Sequence, residues 1–344
     1  MELEERLEMV TRLADEVVTE DELREILKEK DEPVAYIGYS PTGMMHIGHF
    51  SLIRKIADFL RAGFKFKVLV ADVHAELDVE KTPLELVEAR AEWYEEALKG
   101  MLEATGVSLD NLEFVRGSSY QHDKEYQKGY MHLMENATVT RAQRASSEVV
   151  RHEDGMKASG ILYPFLQIMD CVALDVDVAY SGTDQRRIYM LGRETLPRVG
   201  EEKVTCVFSP LLGGLNKGKM SASVESSKIN VIDDPETVVE KMKDAYCPAG
   251  EKKNNSVLGY AKYLLFPVLE SKDRDFLVER PKKYGGNLSY SSFEEMEQDF
   301  LSGELHPQDL KESMGRTLAE IMEPIRKRFE KKSDLTKRAY PDES

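Results

Sequence analysis

Residues 36–49 have the sequence Tyr36-Ile37-Gly38-Tyr39-Ser40-Pro41-Thr42-Gly43-Met44-Met45-His46-Ile47-Gly48-His49, and this is the most informative part of the chain. The apolar residues at 34–39 predict a strand, the Pro/Gly run that follows predicts a turn, and a helix is expected over 46–62. His46 and His49 are three residues apart, so they share one face in the first turn of that helix. Free N–H groups and the helix dipole attract phosphate there, and Gly48 leaves room for a flat base against the backbone. Two histidines at this spacing can also be a weak metal pair or a solvated face, but the strand–turn–helix context favours a nucleotide site.

Strands and helices alternate along the following 150 or so residues. Further strands are predicted over 66–71, 112–115, 176–180 and 204–208. Helices are predicted over 82–104, 123–147, 161–171 and 183–196. This alternation indicates an α/β fold with a parallel sheet that is wound on both faces. Because ligands bind such sheets beyond the carboxyl ends of the strands, we expect the site in the segments 40–49, 72–76, 116–121, 181–187 and 209–223.

The chain divides into four parts. Residues 1–32 are predicted to be a helical segment, in which Thr19-Glu20-Asp21-Glu22 matches a capping box. Residues 33–230 form the α/β domain, and residues 231–332 form an all-helical domain because no strand pattern there is convincing. Residues 333–344 are a polar tail that is expected to fray. A second capping box, Thr82-Pro83-Leu84-Glu85, is predicted to open the helix over 82–104.

The composition excludes several classes of protein. With 41% hydrophobic and 32% charged residues, the 344-residue chain is an ordinary folded protein. Its net charge of −16 argues against non-specific nucleic-acid binding, although a local basic patch is still compatible with it. The longest apolar stretch, 161–180, contains three aspartates, and the acidic N-terminus has no apolar signal core. Three cysteines without a CxxC spacing argue against a disulfide framework or a cysteine zinc site, so we expect a cytoplasmic protein.

A second motif covers residues 211–223, Leu-Leu-Gly-Gly-Leu-Asn-Lys-Gly-Lys-Met-Ser-Ala-Ser. It follows the last predicted strand of the α/β domain and is rich in glycine. Lys219 places a compact cation on this loop, with the hydroxyls of Ser221 and Ser223 beside it. A loop of this kind suits a polyphosphate that is held and then released. Taken alone, it could equally be a flexible surface loop.

A third motif lies at the start of an apolar helix. Tyr163, Gln167 and Asp170 follow one another at helical spacing, so they lie on one face. A buried carboxylate is costly unless it meets a hydrogen-bond donor. The stripe therefore either presents a polar site or consists of core residues that are satisfied by the backbone.

Together the first two motifs resemble the HIGH and KMSKS signatures of class I aminoacyl-tRNA synthetases. The signatures correspond here to His46-Ile47-Gly48-His49 and Lys219-Met220-Ser221-Ala222-Ser223. The resemblance implies a Rossmann-like catalytic domain followed by an anticodon-binding domain. Ala222 departs from the pattern, because many members have lysine there. One contact to the triphosphate is then missing, and Lys219 must carry more of that role.

Other segments narrow the resemblance to the archaeal and eukaryotic tyrosyl-tRNA synthetases, over about residues 20–330. These segments are Tyr36, Val73-His74-Ala75, the helix from Tyr163 to Asp170, and Gly182-Thr183-Asp184-Gln185-Arg186-Arg187. The resemblance implies that Tyr36 and Asp170 hold the substrate phenol oxygen and that His74 lines the tyrosine pocket. It also implies that Tyr163, Gln167 and Gln185 surround the α-amino group. The implied catalytic residues are His46, His49 and Lys219. The implied ATP-binding residues are Gly38, His46, Gly48, His49, Lys219, Met220, Ser221 and Ser223.

The resemblance extends to RNA. Tyr284 would stack on an anticodon base, and His306, Pro307 and Asp309 would shape the surrounding pocket. Arg141, Arg144 and Arg151 would contact the acceptor end of the tRNA across a homodimer. A basic run at 326–328 is either a phosphate contact or a solvated face.

The implied activity is tyrosine–tRNA ligation in two steps. Tyrosine and ATP give tyrosyl adenylate and pyrophosphate, and tyrosine then passes to the 3′ end of tRNA-Tyr. Magnesium is expected to accompany ATP through the phosphates, without a dedicated protein metal site.

Three other functions are compatible with parts of this pattern. A tryptophanyl-tRNA synthetase shares the motifs, but Asp170 favours a phenol, since an indole has no oxygen there. A small-molecule nucleotidyltransferase would not need a helical domain with Tyr284. A non-enzymatic RNA-binding relative would be expected to have lost His46, His49 or Lys219.

Overall fold

The computed structural model describes residues 1–77, 81–149, 157–216 and 228–342. Within them, the centre of the fold is a six-stranded sheet with the order β1-β6-β5-β2-β3-β4. Its strands are β1 Glu16–Val18, β2 Val34–Tyr39, β3 Lys65–Val70, β4 Leu112–Arg116, β5 Val178–Gly182 and β6 Thr205–Ser209. The last five strands are parallel, which confirms the predicted α/β fold. The short strand β1 pairs antiparallel with β6 at the edge of the sheet.

The sheet changes direction of winding between β2 and β5. The chain runs outward from β2 through β3 to β4, and then returns to the other side of β2 as β5 and β6. Tyr36 lies opposite Ala179 in the β2–β5 pair. Gly38 is the one exposed residue of these two strands, and the others are buried or half-buried. In parallel sheets a crevice opens at such a switch point, beyond the carboxyl ends of the two strands. This crevice holds the site described below.

Nine α-helices accompany the sheet in the described part of the α/β region. They are α1 Leu3–Thr11, α2 Glu20–Glu29, α3 Ile47–Arg61, α4 Asp72–Glu76, α5 Val87–Ala104, α6 Lys124–Glu135, α7 Val139–Ser146, α8 Ala158–Ala173 and α9 Arg186–Thr195. The predicted capping box at Thr19 is confirmed, since Thr19 and Glu22 each accept the other's backbone N–H. The predicted helix over 123–147 is divided into α6 and α7, because the Thr138 side chain caps a new helix by accepting from Arg141 N.

Two expectations for the α/β region are wrong. The segment 1–32 is not wholly helical, because residues 16–18 form β1 between α1 and α2. A three-residue strand is too short to show the alternation on which sequence prediction depends. Thr82 does not begin a capping box, because its hydroxyl donates to the carbonyl of Pro41 at 3.1 Å. The chain instead enters α5 through a 3₁₀ turn over Leu84–Leu86.

The region after residue 230 is mainly helical, as predicted. Its helices are α10 Pro235–Asp244, α11 Ser256–Tyr260, α12 Phe266–Glu270, α13 Phe293–Ser302, α14 Pro307–Ile321, α15 Glu323–Glu330 and α16 Leu335–Ala339. A π-helical turn, Ala261–Leu265, joins α11 to α12. The region also contains a hairpin that the sequence did not reveal, formed by β7 Phe276–Val278 and β8 Leu288–Tyr290. Both strands have only three residues, so neither shows a detectable period.

The helical region packs on α5 of the α/β region. Gly100 of α5 allows this close approach, because a Cβ atom there would lie 2.8 Å from the Cα of Ile325. The tail was expected to fray, but it forms α16, and Leu335, Ala339 and Tyr340 are fully or almost fully buried. These three apolar side chains were hidden among charged neighbours in the sequence. In the described part of the chain, no helix combines the length and apolar character needed to cross a membrane.

Candidate active site

A cavity of about 630 Å³ lies beyond the carboxyl ends of β2 and β5. It is bordered by the end of β2, the start of α3, the middle of α8 and the segment after β5. Ten residues predicted from the sequence line it: Tyr36, Gly38, His46, Gly48, His49, His74, Tyr163, Gln167, Asp170 and Gln185. The fold therefore brings together segments that are more than 100 residues apart in the chain.

The two histidines are locked to each other at the start of α3. His46 is the N-cap, and its Nδ1 accepts from Gly48 N at 3.1 Å. In return, Nδ1 of His49 accepts from His46 N at 3.2 Å. Burial, together with the nearby positive charge of Lys228, lowers the pKa of His46 to about 2 and that of His49 to about 4. Both rings are thus neutral at pH 7, and since Nδ1 accepts in each, the proton must be on Nε2. The pair presents two Nε2–H donors.

The chain that follows the second motif returns beside these histidines. Ile47 N donates to Ile229 O, and Val231 N donates to Met45 O, each at 3.0 Å. At the start of the motif, Gly213 lines the cavity. The predicted residues Lys219, Met220, Ser221 and Ser223 lie outside the described residues, as do Ala222 and Arg151.

Asp170 is fully buried on α8, and its two oxygens have different surroundings. Oδ1 accepts from the hydroxyls of Tyr120 and Tyr126, both at 2.8 Å, and from Nε2 of Gln121 at 2.6 Å. Oδ2 has no hydrogen-bond partner among the described residues, and Nε2 of His74 lies 3.9 Å from it. Burial raises the pKa of Asp170, whereas His74 and the three donors oppose that rise. The carboxylate is therefore held at one oxygen and open at the other.

Sequence reasoning missed the three donors to Asp170. Tyr120 and Gln121 lie in the segment after β4 that was singled out as a place for the site, but neither was selected. Asp72 holds this segment, because its carboxylate accepts from both the backbone N and the hydroxyl of Ser118. Gly117 leaves space for both side chains, since a Cβ atom there would lie 2.4 Å from Oε1 of Gln121 and 2.9 Å from Oδ1 of Asp72.

Tyr36 closes the same end of the cavity. Its hydroxyl donates to Gln167 O at 3.3 Å and lies 2.9 Å from the hydroxyl of Tyr189. Burial raises the pKa of Tyr36 well above its ordinary value, so the phenol stays protonated. Tyr189 is a further residue that the sequence did not indicate, because it lies 153 residues from its partner.

The remaining predicted residues of the cavity surround its wider part. Tyr163 packs edge-on against His74, with 4.7 Å between the ring centroids. Nε2 of Gln185 donates to Oδ2 of Asp184 at 3.2 Å, and Asp184 also lines the cavity. In the described residues, no group of three or more His, Cys, Asp or Glu side chains is placed to hold a metal ion.

The residues predicted to contact RNA lie elsewhere. Tyr284 is 58% exposed, in the turn between β7 and β8. His306 caps α14 by accepting from Gln308 N at 3.1 Å, and Pro307 and Asp309 follow in the first turn. Arg141 and Arg144 are exposed on α7, where Arg141 forms an ion pair with Glu194. None of these side chains is part of the cavity lining within the described residues.

Comparison with known proteins gives a consistent result. Residues 28–323 match the family model of class I tRNA synthetases (W and Y). The tyrosine–tRNA ligase of Haloarcula marismortui is 52% identical over 342 residues, which is 99% of each chain. The cytoplasmic tyrosine–tRNA ligase of Danio rerio is 42% identical over 99% of this chain and 64% of its own length.

Solved structures agree with these sequences. The tyrosyl-tRNA synthetase of Archaeoglobus fulgidus, crystallised with L-tyrosine, has a TM-score of 0.88 at 40% identity, covering 95% of this chain and 99% of its own. A tryptophanyl-tRNA synthetase from Aeropyrum pernix has a TM-score of 0.70 at 17% identity, covering 94% and 84%, and shares the fold alone.

Proposed function

The chain belongs to the class I tRNA synthetases of the tryptophan and tyrosine group, and we propose that it works as a tyrosine–tRNA ligase. It activates L-tyrosine with ATP and passes the tyrosyl group to tRNA. Relatives named as tyrosine–tRNA ligases are 40–52% identical over nearly the whole chain, which favours tyrosine over tryptophan.

The observation that carries the proposal is the open oxygen of Asp170. Oδ1 already accepts three hydrogen bonds, so Oδ2 is the acceptor that remains for a substrate hydroxyl. A phenol supplies such a donor, and Tyr36 lies in the same cavity to complete the contact. Phenylalanine would leave the buried oxygen unpaired, which costs about 1–3 kcal/mol or more for a charged group. His74 would line the pocket, and Tyr163, Gln167 and Gln185 would surround the α-amino group.

Adenylate formation needs positioning more than reactive side chains. The tyrosine carboxylate is already a nucleophile and attacks the α-phosphate of ATP in line, so no covalent intermediate on the protein is required. As pyrophosphate leaves, the Nε2–H groups of His46 and His49 donate to its developing negative charge at the N-terminus of α3. Because both rings stay neutral above about pH 4, this contribution does not change through neutral pH. Gly38 and Gly48 give the nucleotide access to the backbone.

Lys219 would supply a positive charge to the polyphosphate, and Met220, Ser221 and Ser223 of the second motif would also bind ATP. Magnesium would arrive with ATP and be held through the phosphate oxygens.

Transfer to RNA uses the other parts of the molecule. The exposed ring of Tyr284 suits stacking on a base of the anticodon, and His306, Pro307 and Asp309 would form the pocket around it. Arg141 and Arg144 would contact the acceptor end of a tRNA that is bound across a homodimer. We place this reaction in the cytoplasm.

The test is amino-acid-dependent ATP–pyrophosphate exchange with tyrosine, tryptophan and phenylalanine on one preparation. Exchange should depend on tyrosine, and the background without amino acid is the control. Exchange that is faster with tryptophan would contradict the assignment. Charging of unfractionated tRNA with labelled tyrosine then tests the second step.

A further inference from the structure

Arg90 of α5 is a buried arginine that the reaction described above does not use. It is 9% exposed. Its Nη1 donates to the carbonyls of Thr42 and Lys81, both at 2.8 Å, and its Nε donates to the carbonyl of Ala339 at 3.0 Å. The guanidinium also lies over the ring of Tyr340, with Cζ 4.8 Å from the ring centroid. Arg90 thus connects the segments around Thr42 and Lys81 to the C-terminal segment 335–340.

The contact with Thr42 is part of a larger arrangement. Three successive carbonyls of the turn before His46 are each held by a side chain from α5 or the segment that leads into it. Pro41 O accepts from the Thr82 hydroxyl at 3.1 Å, Thr42 O accepts from Arg90, and Gly43 O accepts from the Tyr94 hydroxyl at 2.6 Å. This turn sets the approach of the chain to the two histidines. Thr42 and Lys81 themselves line the cavity.

The C-terminal segment is fixed on the opposite side of Arg90. Trp93, one turn along α5, packs edge-on against Tyr340 at 5.4 Å between ring centroids, and its Nε1 donates to the Thr336 hydroxyl at 3.1 Å. Leu335 and Ala339 are fully buried. Packing therefore determines the positions of Ala339 O and of the Tyr340 ring. These two groups in turn determine where the guanidinium of Arg90 lies.

We propose that Arg90 is a positioning residue for adenylate formation, and that Ala339 and Tyr340 in the C-terminal segment are a structural part of the catalytic site. Arg90 transmits the position of that segment to the turn that precedes His46. Loss of the guanidinium releases Thr42 O, the middle one of the three held carbonyls, and loss of the ring removes a contact that fixes the guanidinium. Misplacement of a catalytic group by about 1 Å typically costs about 10²-fold in rate. Tyrosine binding at Asp170 depends on the separate segment after β4, so it should change little. This inference rests on the proposed function.

The experiment compares Arg90→Ala, Tyr340→Leu and Tyr340→Phe in the full chain by tyrosine-dependent ATP–pyrophosphate exchange. We expect the kcat of exchange to fall at least about tenfold in Arg90→Ala and Tyr340→Leu, with the KM for tyrosine changed less than about threefold. Tyr340→Phe keeps the ring over the guanidinium and should retain the rate. Arg338→Ala is the matched control, because it removes an ion pair of α16 with Glu92 without touching Arg90.

Three outcomes would overturn the inference. They are an exchange rate within about twofold of the unmodified chain in Arg90→Ala, an equal loss in Arg338→Ala, and a rise of the tyrosine KM that matches the loss of kcat together with a lower melting temperature. Absence of tyrosine-dependent exchange in the unmodified chain is a different result. It would overturn the proposed function, and the site that Arg90 is inferred to position would fall with it.

Discussion

Asp170 is held by three donors at Oδ1 and is open at Oδ2, and this asymmetry makes a buried carboxylate selective. Donors to one oxygen fix the orientation of the group and oppose the rise in its pKa that burial causes. In the proposed tyrosine complex, the other oxygen would meet the substrate hydroxyl as a charged acceptor. Such a bond is about twice as strong as a neutral one.

Asp170→Asn should therefore lower the activity with tyrosine much more than the activity with phenylalanine. The substitution keeps the shape but removes the charge, and we expect kcat/KM for tyrosine to fall about tenfold to 150-fold, since bonds to charged groups contribute about 1.5–3 kcal/mol. The kcat/KM for phenylalanine should change little. Both are measured by pyrophosphate exchange on one preparation. Equal losses for the two amino acids would mean that Asp170 only supports the fold.

The same residue predicts a pH dependence. As the pH falls through the raised pKa of Asp170, the carboxylate takes up a proton and the ratio of tyrosine to phenylalanine kcat/KM should fall. Tyr120→Phe removes a donor that favours the charged form, so the acid limb of this ratio should move to higher pH. Protonation of His46 and His49 would affect the reactions of both amino acids equally, so its effect would cancel in the ratio. Asp170→Asn is the control, because its ratio should show no fall at acid pH. If the fall occurs at the same pH in Tyr120→Phe as in the unmodified chain, the proposed role of the Tyr120 hydroxyl is wrong.

At this scale, sequence could predict which side chains face the cavity but not how they are held. The helical spacing of Tyr163, Gln167 and Asp170 is local, and the structure places all three in the lining. The partners of Asp170 are 44 to 50 residues away, and only the fold shows that they meet.

Among the elements, the loop after β4 carries two of the donors to Asp170 and is itself fixed by Asp72. Gly117→Ala should disturb it, because the added Cβ would press on Gln121 at 2.4 Å and on Asp72 at 2.9 Å. We expect the KM for tyrosine to rise about tenfold while the KM for ATP changes little, since ATP is proposed to bind at α3. Gly259→Ala is the control, because its Cβ would make only an ordinary contact at 3.4 Å. An unchanged tyrosine KM would show that the loop adjusts without cost.

The elements also show where prediction from sequence stops. Buried parallel strands are continuous apolar runs, so β2, β3, β5 and β6 were predicted within two residues of their observed ends. The edge strand β4 ends one residue later than predicted. The strands β1, β7 and β8 have three residues each and carry no period. Thr82 satisfies the capping pattern locally, but its hydroxyl is used by the turn at Pro41, a contact that is 41 residues distant.

For the whole molecule, a net charge of −16 must be reconciled with a polyanionic RNA substrate. Long-range attraction is unfavourable, so binding must come from local basic groups and from contacts to bases. The proposed RNA residues would supply such contacts, since Tyr284 is exposed at the hairpin and Arg144 is exposed on α7. Both side chains lie outside the cavity. RNA binding and amino acid activation should then be separable by substitution.

Tyr284→Ala is the direct test of that separation. Base stacking on an aromatic ring contributes about 1–3 kcal/mol, so the kcat/KM for tRNA in aminoacylation should fall by about fivefold to 150-fold. ATP–pyrophosphate exchange should stay unchanged, because the ring is 58% exposed and lies outside the cavity. Asp309→Ala should act in the same direction through the pocket at the start of α14. Leu277→Ala, on the same hairpin and 48% exposed, controls for the loss of an exposed apolar side chain that we assign no contact with RNA. If exchange and aminoacylation fall together in Tyr284→Ala, the ring supports the fold rather than the RNA, and the anticodon assignment of this hairpin fails.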